Sequence, residues 1–170
     1  LTDTPIFSCH AVINTSNKIL KNTKDILNSC RGYLPYSQGK YKLKIEKAGT
    51  ASITLTEDDI IGGISIKSEE VSNKYNRVFV NYINPQKQYE SDQVQFPPVD
   101  ETGLDTADQY ATLLSVDNDK PLDGNFDFDF ITNPYQAEEM AEVILRRSRN
   151  MLSCNLQCTA EASDLEIGDI

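Results

Sequence analysis

Histidine, basic charge over one long window, and extended apolar runs are what this 170-residue chain has least of. His10 is the single histidine, and none of the four cysteines, Cys9, Cys30, Cys154 and Cys158, belongs to a CxxC pair. Zinc sites usually draw on two close pairs of ligands, so no metal-ligating set is assigned. The thiols are expected to be free and buried rather than joined in a disulfide, which implies synthesis in a cytoplasm. No stretch approaches the roughly 20 apolar residues of a membrane helix. Leu1 to His10 has neither the basic start nor the apolar run of a signal peptide, and membrane insertion by this segment is not expected.

The basic shortage is local. From Glu90 to Asp129 there are eleven acidic residues and one basic residue, Lys120, so this window carries the whole formal net charge of -10. It repels phosphate backbones, and no basic patch interleaved with aromatics competes with it. Nucleic acid is therefore not an expected partner.

The hydrophobic content of 39% fits a globular protein, and the length allows one large domain or two small ones. The chain opens on Leu1 rather than Met and stops at the apolar, strand-like "LEIGDI". Natural termini are usually polar and frayed, so a piece of a longer polypeptide is expected.

Three segments follow from the patterning. Residues 1–86 read as a helix, a hairpin and strands. Within them Ile19, Leu20, Thr23, Ile26, Leu27 and Cys30 form one apolar stripe of a helix over Thr15–Cys30, capped by Thr15 or Ser16 and ended at Gly32. "GYLPYSQGKYKLKIEKAG" predicts a hairpin about its "SQG" turn, with Tyr41, Leu43 and Ile45 in a core and Lys40, Lys42, Lys44 and Glu46 in water. "SITLTEDDIIGGISIKSEE" predicts a short strand, a cap-like turn at "TEDD" and a second strand at Ile64–Lys67. Gly62 and Gly63 make a turn rather than a phosphate loop, because no GK[ST] follows. "NRVFVNYINP" predicts a strand with Val78, Val80 and Tyr82 on one face, stopped by Pro85.

Residues 87–125 read as an acidic insert or long connection in which periodicity fades; "QYATLLSV" fits a short strand or a helix turn. Asp117, Asp119 and Asp123 resemble a calcium loop only in composition, since Pro121 stands where the third ligand belongs and Gly124 is displaced. Residues 126–170 read as strand, helix and strand, with Phe126, Phe128 and Phe130 sharing one strand face.

The helix in that last segment is the most completely specified. Asn133 is an N-cap and Pro134 suits the first position. Glu138, Glu139 and Glu142 are expected near the positive end of the dipole, and Arg146, Arg147 and Arg149 near the negative end. Ala137, Ala141, Ile144, Ser148 and Met151 form a stripe of mostly small residues that lets the helix lie close to a sheet, and Glu142 and Arg146 pair across one turn. Each charge thus has a structural task, which argues against catalysis by the glutamates and leaves the arginines a weaker anion-site reading. In "MLSCNLQCTAEA", Leu152, Cys154, Leu156 and Cys158 alternate onto one face, expected as core.

No catalytic or cofactor-binding residue emerges. Hydrolysis by two carboxylates needs a cleft with one raised pKa, and nothing in the order of the acidic residues marks a pair. Cys9 and His10 are adjacent, so in a strand their side chains point to opposite faces. Tyr33, Tyr36, Tyr75, Tyr82 and Tyr89 offer stacking platforms for a glycan or receptor, although tyrosines on amphipathic strands are usually core-edge residues.

"CHAVINTSNKILKNTKDILNSCRGYLPYSQGKYKLKIE" resembles the central region of lambda-like phage tail tip attachment proteins, where a helix of "ILNSCRG" character precedes a "GKYKL" strand. "FDFDFITNPYQAEEMAEVILRRSRNMLSCNLQCTAEASDLEIGDI" is similar to the later part of that region, with alanines near "ILRRSR" and a closing L-x-x-GD. The resemblance covers both ends of the chain and has no counterpart over 87–125. It implies an α+β baseplate-hub architecture: β-rich hub domains with two flanking amphipathic helices, three copies around an axis at the tip of a tail tube. The wider family includes hub proteins of contractile tails and of type VI secretion spikes. The resemblance further implies no cofactor and no catalysis in this segment, assembly with copies of itself and other tail proteins, and a place at the virion tail tip after synthesis in the bacterial host cytoplasm. Receptor binding in such proteins usually lies nearer the C terminus of the full chain.

Overall fold

A computed structural model describes residues 7–47, 49–68, 73–100, 108–150 and 152–169. The fold is α+β. In chain order the elements are α1 (Ile19–Asn28), β1 (Gly32–Tyr33), β2 (Tyr36–Ser37), β3 (Lys40–Tyr41), β4 (Lys44–Ile45), β5 (Ser65–Ser68), β6 (Arg77–Asn84), β7 (Glu90–Phe96), α2 (Gln109–Val116), β8 (Asp123–Phe128), α3 (Pro134–Arg149) and β9 (Leu152–Asn155). They fall into two compact units: Leu1–Cys30 with Glu70–Asn150, and Arg31–Glu69 with Met151–Ile170.

The first unit is built on a three-stranded sheet in the order β7–β6–β8. The central strand pairs antiparallel with β7 and parallel with β8. Strand alternation turns Val78, Val80 and Tyr82 to one face, and all three are buried as their spacing predicts. Against that face lies α3, whose Ala137, Met140, Ala141 and Leu145 complete the core with Ile131. The two alanines let the helix backbone approach the sheet. Burying each larger side chain stabilises the unit by about 1.5–3 kcal/mol.

α3 begins as its sequence dictates: the Asn133 side chain accepts from the Tyr135 N–H at 3.0 Å, and Pro134 occupies the first turn. Asn133→Ala is expected to cost about 1 kcal/mol, seen as a lower urea midpoint at unchanged slope. The last turn carries Arg146, Arg147 and Arg149, and Glu142 pairs with Arg146. Two details differ from expectation. The first turn holds no acid, because the helix starts at Pro134 and the glutamates fall one turn in. The buried face also includes Gln136, Met140 and Leu145, so the covered stripe is wider than the small residues alone; Met151 lies outside the described residues. Buried Gln136 is satisfied by accepting from Ser8 N at 3.1 Å and donating to the Ser29 carbonyl at 2.6 Å. These bonds fix the segment before α1 and the end of α1 on α3.

α1 is shorter than its stripe. It begins after Lys18, with no side-chain cap from Thr15 or Ser16, and stops at Ser29 rather than Gly32. Ser29 is buried, its hydroxyl donating to the Ile26 carbonyl, and Arg31 turns left-handed at φ 55°, which ends the helix early. No residue of α1 is itself buried, and Ile19 and Leu20 are exposed. A third helix, α2, forms over "QYATLLSV", and β7 forms within the acidic window because Val94 and Phe96 pack against the core. Phe126 and Phe128 also pack there from β8, whereas Phe130 lies beyond the strand.

In the second unit, β1 pairs with β4 and β2 with β3, both antiparallel, and β5 pairs with β9. The β2–β3 turn has Gln38 at φ 51° and Gly39 at φ 77°, the paired left-handed geometry of a tight hairpin. Thr56 and Asp59 close a reciprocal cap on a short 3-10 turn at Glu57–Asp59, as "TEDD" suggests. The strand expected before it is absent, and residues 52–55 are irregular. The strand after it forms at Ser65–Ser68, with Gly62 in the turn at φ 89°.

Candidate functional site

The hairpin of the second unit is turned the opposite way from its sequence reading. Tyr41, Leu43 and Ile45 are 69%, 62% and 52% exposed, while on the other face Lys42 and Lys44 are half-buried and Lys40 and Glu46 exposed. Lys44 retains only 20% side-chain exposure. The physical reason lies in the last residues of the chain. Glu166 receives Lys42 in an ion pair and stands 3.7 Å from Lys44, and Asp169 accepts from Lys44 at 2.6 Å. The Lys44 hydrogen bond holds the Asp169 carboxyl below its ordinary range, the Lys42 bond does the same for Glu166, and Asp169 raises Lys44. Gly168, at φ 87°, places its backbone where a Cβ would collide with the Tyr33 hydroxyl. The closing "LEIGD" thus engages Lys42 and Lys44 on the charged side of the hairpin and leaves the apolar side open.

That open side is extensive. Tyr36 lies opposite Tyr41 with ring centroids 5.0 Å apart, and both are exposed. The β5–β9 ribbon repeats the pattern. Its register puts Ile66 beside Cys154 and Ser68 beside Leu152, so these four share a face, and Ile66 and Leu152 are exposed. A two-stranded ribbon is marginally stable alone, and contiguous exposed apolar surface marks interaction sites.

The cysteines differ accordingly from the buried thiols expected. All four are free, but Cys9 and Cys154 are exposed and Cys30 and Cys158 half-buried. Cys154 and Leu152 lie on the exposed ribbon rather than in a core. Among the described residues no cluster of histidine, cysteine and carboxylates is placed to hold a metal ion, and no helix is long and apolar enough to cross a membrane.

In the first unit Asp92, Asp117 and Asp123 each have a structural partner. Asp117, its side chain 4% exposed, accepts from Arg149 at 2.8 Å and from Lys74 at 2.6 Å. Arg149 beside it holds its carboxyl down at about 2, with Lys74 contributing. The fully buried Asn76 donates to the Lys120 carbonyl at 2.8 Å and accepts from Leu122 N at 2.9 Å. Asp123 pairs with Arg77, so Asp117, Asp119 and Asp123 do not converge on a cation. At the β6–β7 turn, Asp92 is likewise lowered to about 2, by bonds from Asn84 and Lys87. Burial and the nearby Asp92 raise the Tyr82 hydroxyl that donates to it at 3.2 Å.

The tyrosines divide by role. Tyr75 packs edge-on against Phe126, Tyr82 is buried, and Tyr33 meets Gly168. Tyr36 and Tyr89 remain exposed. His10 bonds Thr132 Oγ1 through Nδ1 at 2.9 Å, while the adjacent Cys9 is exposed. The open hairpin face escapes sequence reading, because alternation tells which residues share a side and not which side is covered. The acids at 166 and 169 were the available signal.

No protein-family model matches the chain. A distant relationship to a phage tail structural component is nevertheless supported. Over 146 residues, 85% of its length, the chain is 25% identical to baseplate hub protein pb3 of Escherichia phage T5. It spans 14% of that protein, and the similarity does not single out the lambda-like branch.

Proposed function

We propose that this chain is a structural segment of a phage or prophage tail tip, a baseplate-hub piece without catalytic activity that assembles with copies of itself and with other tail proteins. The observation that carries this reading is the hairpin of the second unit, with Lys42 and Lys44 paired to Glu166 and Asp169 and Tyr41, Leu43 and Ile45 left in the open. A ring of hub segments needs such a surface, and a soluble enzyme does not. The similarity to a T5 hub protein and the resemblance to lambda-like tail tip proteins support the same reading, with three copies at the tail tip as its finer form.

The test is Leu43→Asp with Ile45→Asp in the full-length protein. Both side chains are exposed, so the thermal midpoint of the variant is expected to stay close to wild type. Its incorporation into purified tails is expected to fall at least tenfold, since two carboxylates must lose water against an apolar partner. Wild-type incorporation of the folded variant would sink the proposal.

A further inference from the structure

The first unit contains a cleft of about 590 Å³ between α1, the segment before it, and the loops that follow β6 and β8. The volume lies within the range of small-molecule sites, about 300–1,000 Å³. Its lining is two-sided. Ile83 and Phe130 supply apolar surface, while His10, Asn17, Lys21 and Asp25 from one wall and Asp129 from another supply polar groups.

Those polar groups have unused capacity. Among the described residues, neither the Asp25 nor the Asp129 carboxylate has a hydrogen bond or ion pair, and the Lys21 ammonium is likewise unengaged. His10, which also lines the cleft, is held by Thr132 Oγ1 through Nδ1 at 2.9 Å. Tyr89 also lines the cleft and is 70% exposed. It follows Gln88, and both residues are left-handed, at φ 62° and 57°. Non-glycine residues seldom adopt that geometry, which persists only where the surroundings fix it.

We infer that this cleft binds a neutral pyranose. A sugar ring has an apolar C–H face that stacks on an aromatic ring and a rim of hydroxyls that each donate and accept. Tyr89 matches the first. The acceptor-only carboxylates, with the Lys21 ammonium as donor, match the second. Two carboxylates against one ammonium disfavour phosphate and acidic sugars.

The experiment is saturation-transfer NMR on the 170-residue chain with the methyl pyranosides of glucose, galactose, mannose and N-acetylglucosamine. Transfer to at least one of them is expected. Tyr89→Ala and Asp129→Asn should each weaken that binding about tenfold, a change of about 1.4 kcal/mol. Tyr89→Phe, which keeps the ring, should retain it. Both residues are exposed, so urea unfolding curves check that the variants fold. The inference is overturned by transfer to none of the four sugars, by transfer that survives both substitutions unchanged, or by competition from inorganic phosphate.

Discussion

Asp117→Ala is expected to lower the stability of the first unit by roughly 2 kcal/mol, in urea unfolding at neutral pH. The carboxylate joins three places distant in sequence: Lys74 and Asn76 ahead of β6, the end of α2, and Arg149 in the last turn of α3. Removing it leaves two cations facing each other beside a buried asparagine. Breaking a fully buried pair costs about 3–5 kcal/mol. Lys74 is a third exposed, so water screens part of that loss and the lower figure applies. The same carboxylate sets an acid limit. Its folded value, about 2, lies below its ordinary 3.8, so its contribution is fully present above pH 3.8 and disappears as the pH falls through about 2. The shift corresponds to about 2 kcal/mol before screening and nearer 1 after it. In Asp117→Ala the unfolding free energy should therefore fall less between pH 4 and 2 than in wild type. Equal slopes in the two proteins would show that Asp117 does not set the acid response.

Gly168→Ala is the second large effect, and it falls on the other unit. The added methyl meets the Tyr33 ring and hydroxyl, and the backbone at φ 87° is one that alanine adopts only under strain. Left-handed geometry alone costs about 1–2 kcal/mol at a residue with a side chain. Displacing Tyr33 adds to it and pulls Glu166 and Asp169 from their lysines. Loss of the β1–β4 pairing, read by hydrogen exchange at Tyr33 and Lys44, is the expected outcome. Tyr33→Ala in the same chain should restore part of the protection, because it removes the collision and not the strain. Unchanged exchange in the single variant would mean that the closing segment does not hold the hairpin.

Local chemistry was legible wherever one element determines its own limits. Asn133, Pro134 and the arginines of α3 act within a turn or two of themselves, and Val78, Val80 and Tyr82 need only a two-residue period. The strand β7 was hidden because its "ESDQVQF" mixes acids with apolar residues and gains its place from pairing with β6. α1 shows the opposite failure, since a strong apolar stripe says nothing about whether a partner covers it. The hairpin failed for a longer-range reason: the acids that claim its lysines lie more than a hundred residues along the chain. The same distance hid the cleft, whose walls come from residues 10–25, from Ile83 and Tyr89, and from residues 129–132.

The interleaving of the two units has a consequence for synthesis. Residues 31–69 emerge from the ribosome long before 151–170, which supply both the partner strand of β5 and the acids that cover the hairpin. Until residues 151–170 have emerged the early half of that unit exposes unpaired edges and unpaired lysines, while the sheet-and-helix unit can already close around its own core. A nascent chain halted near Asn150 would thus carry one finished body and one waiting half, a natural target for chaperones and for premature association with a neighbouring copy.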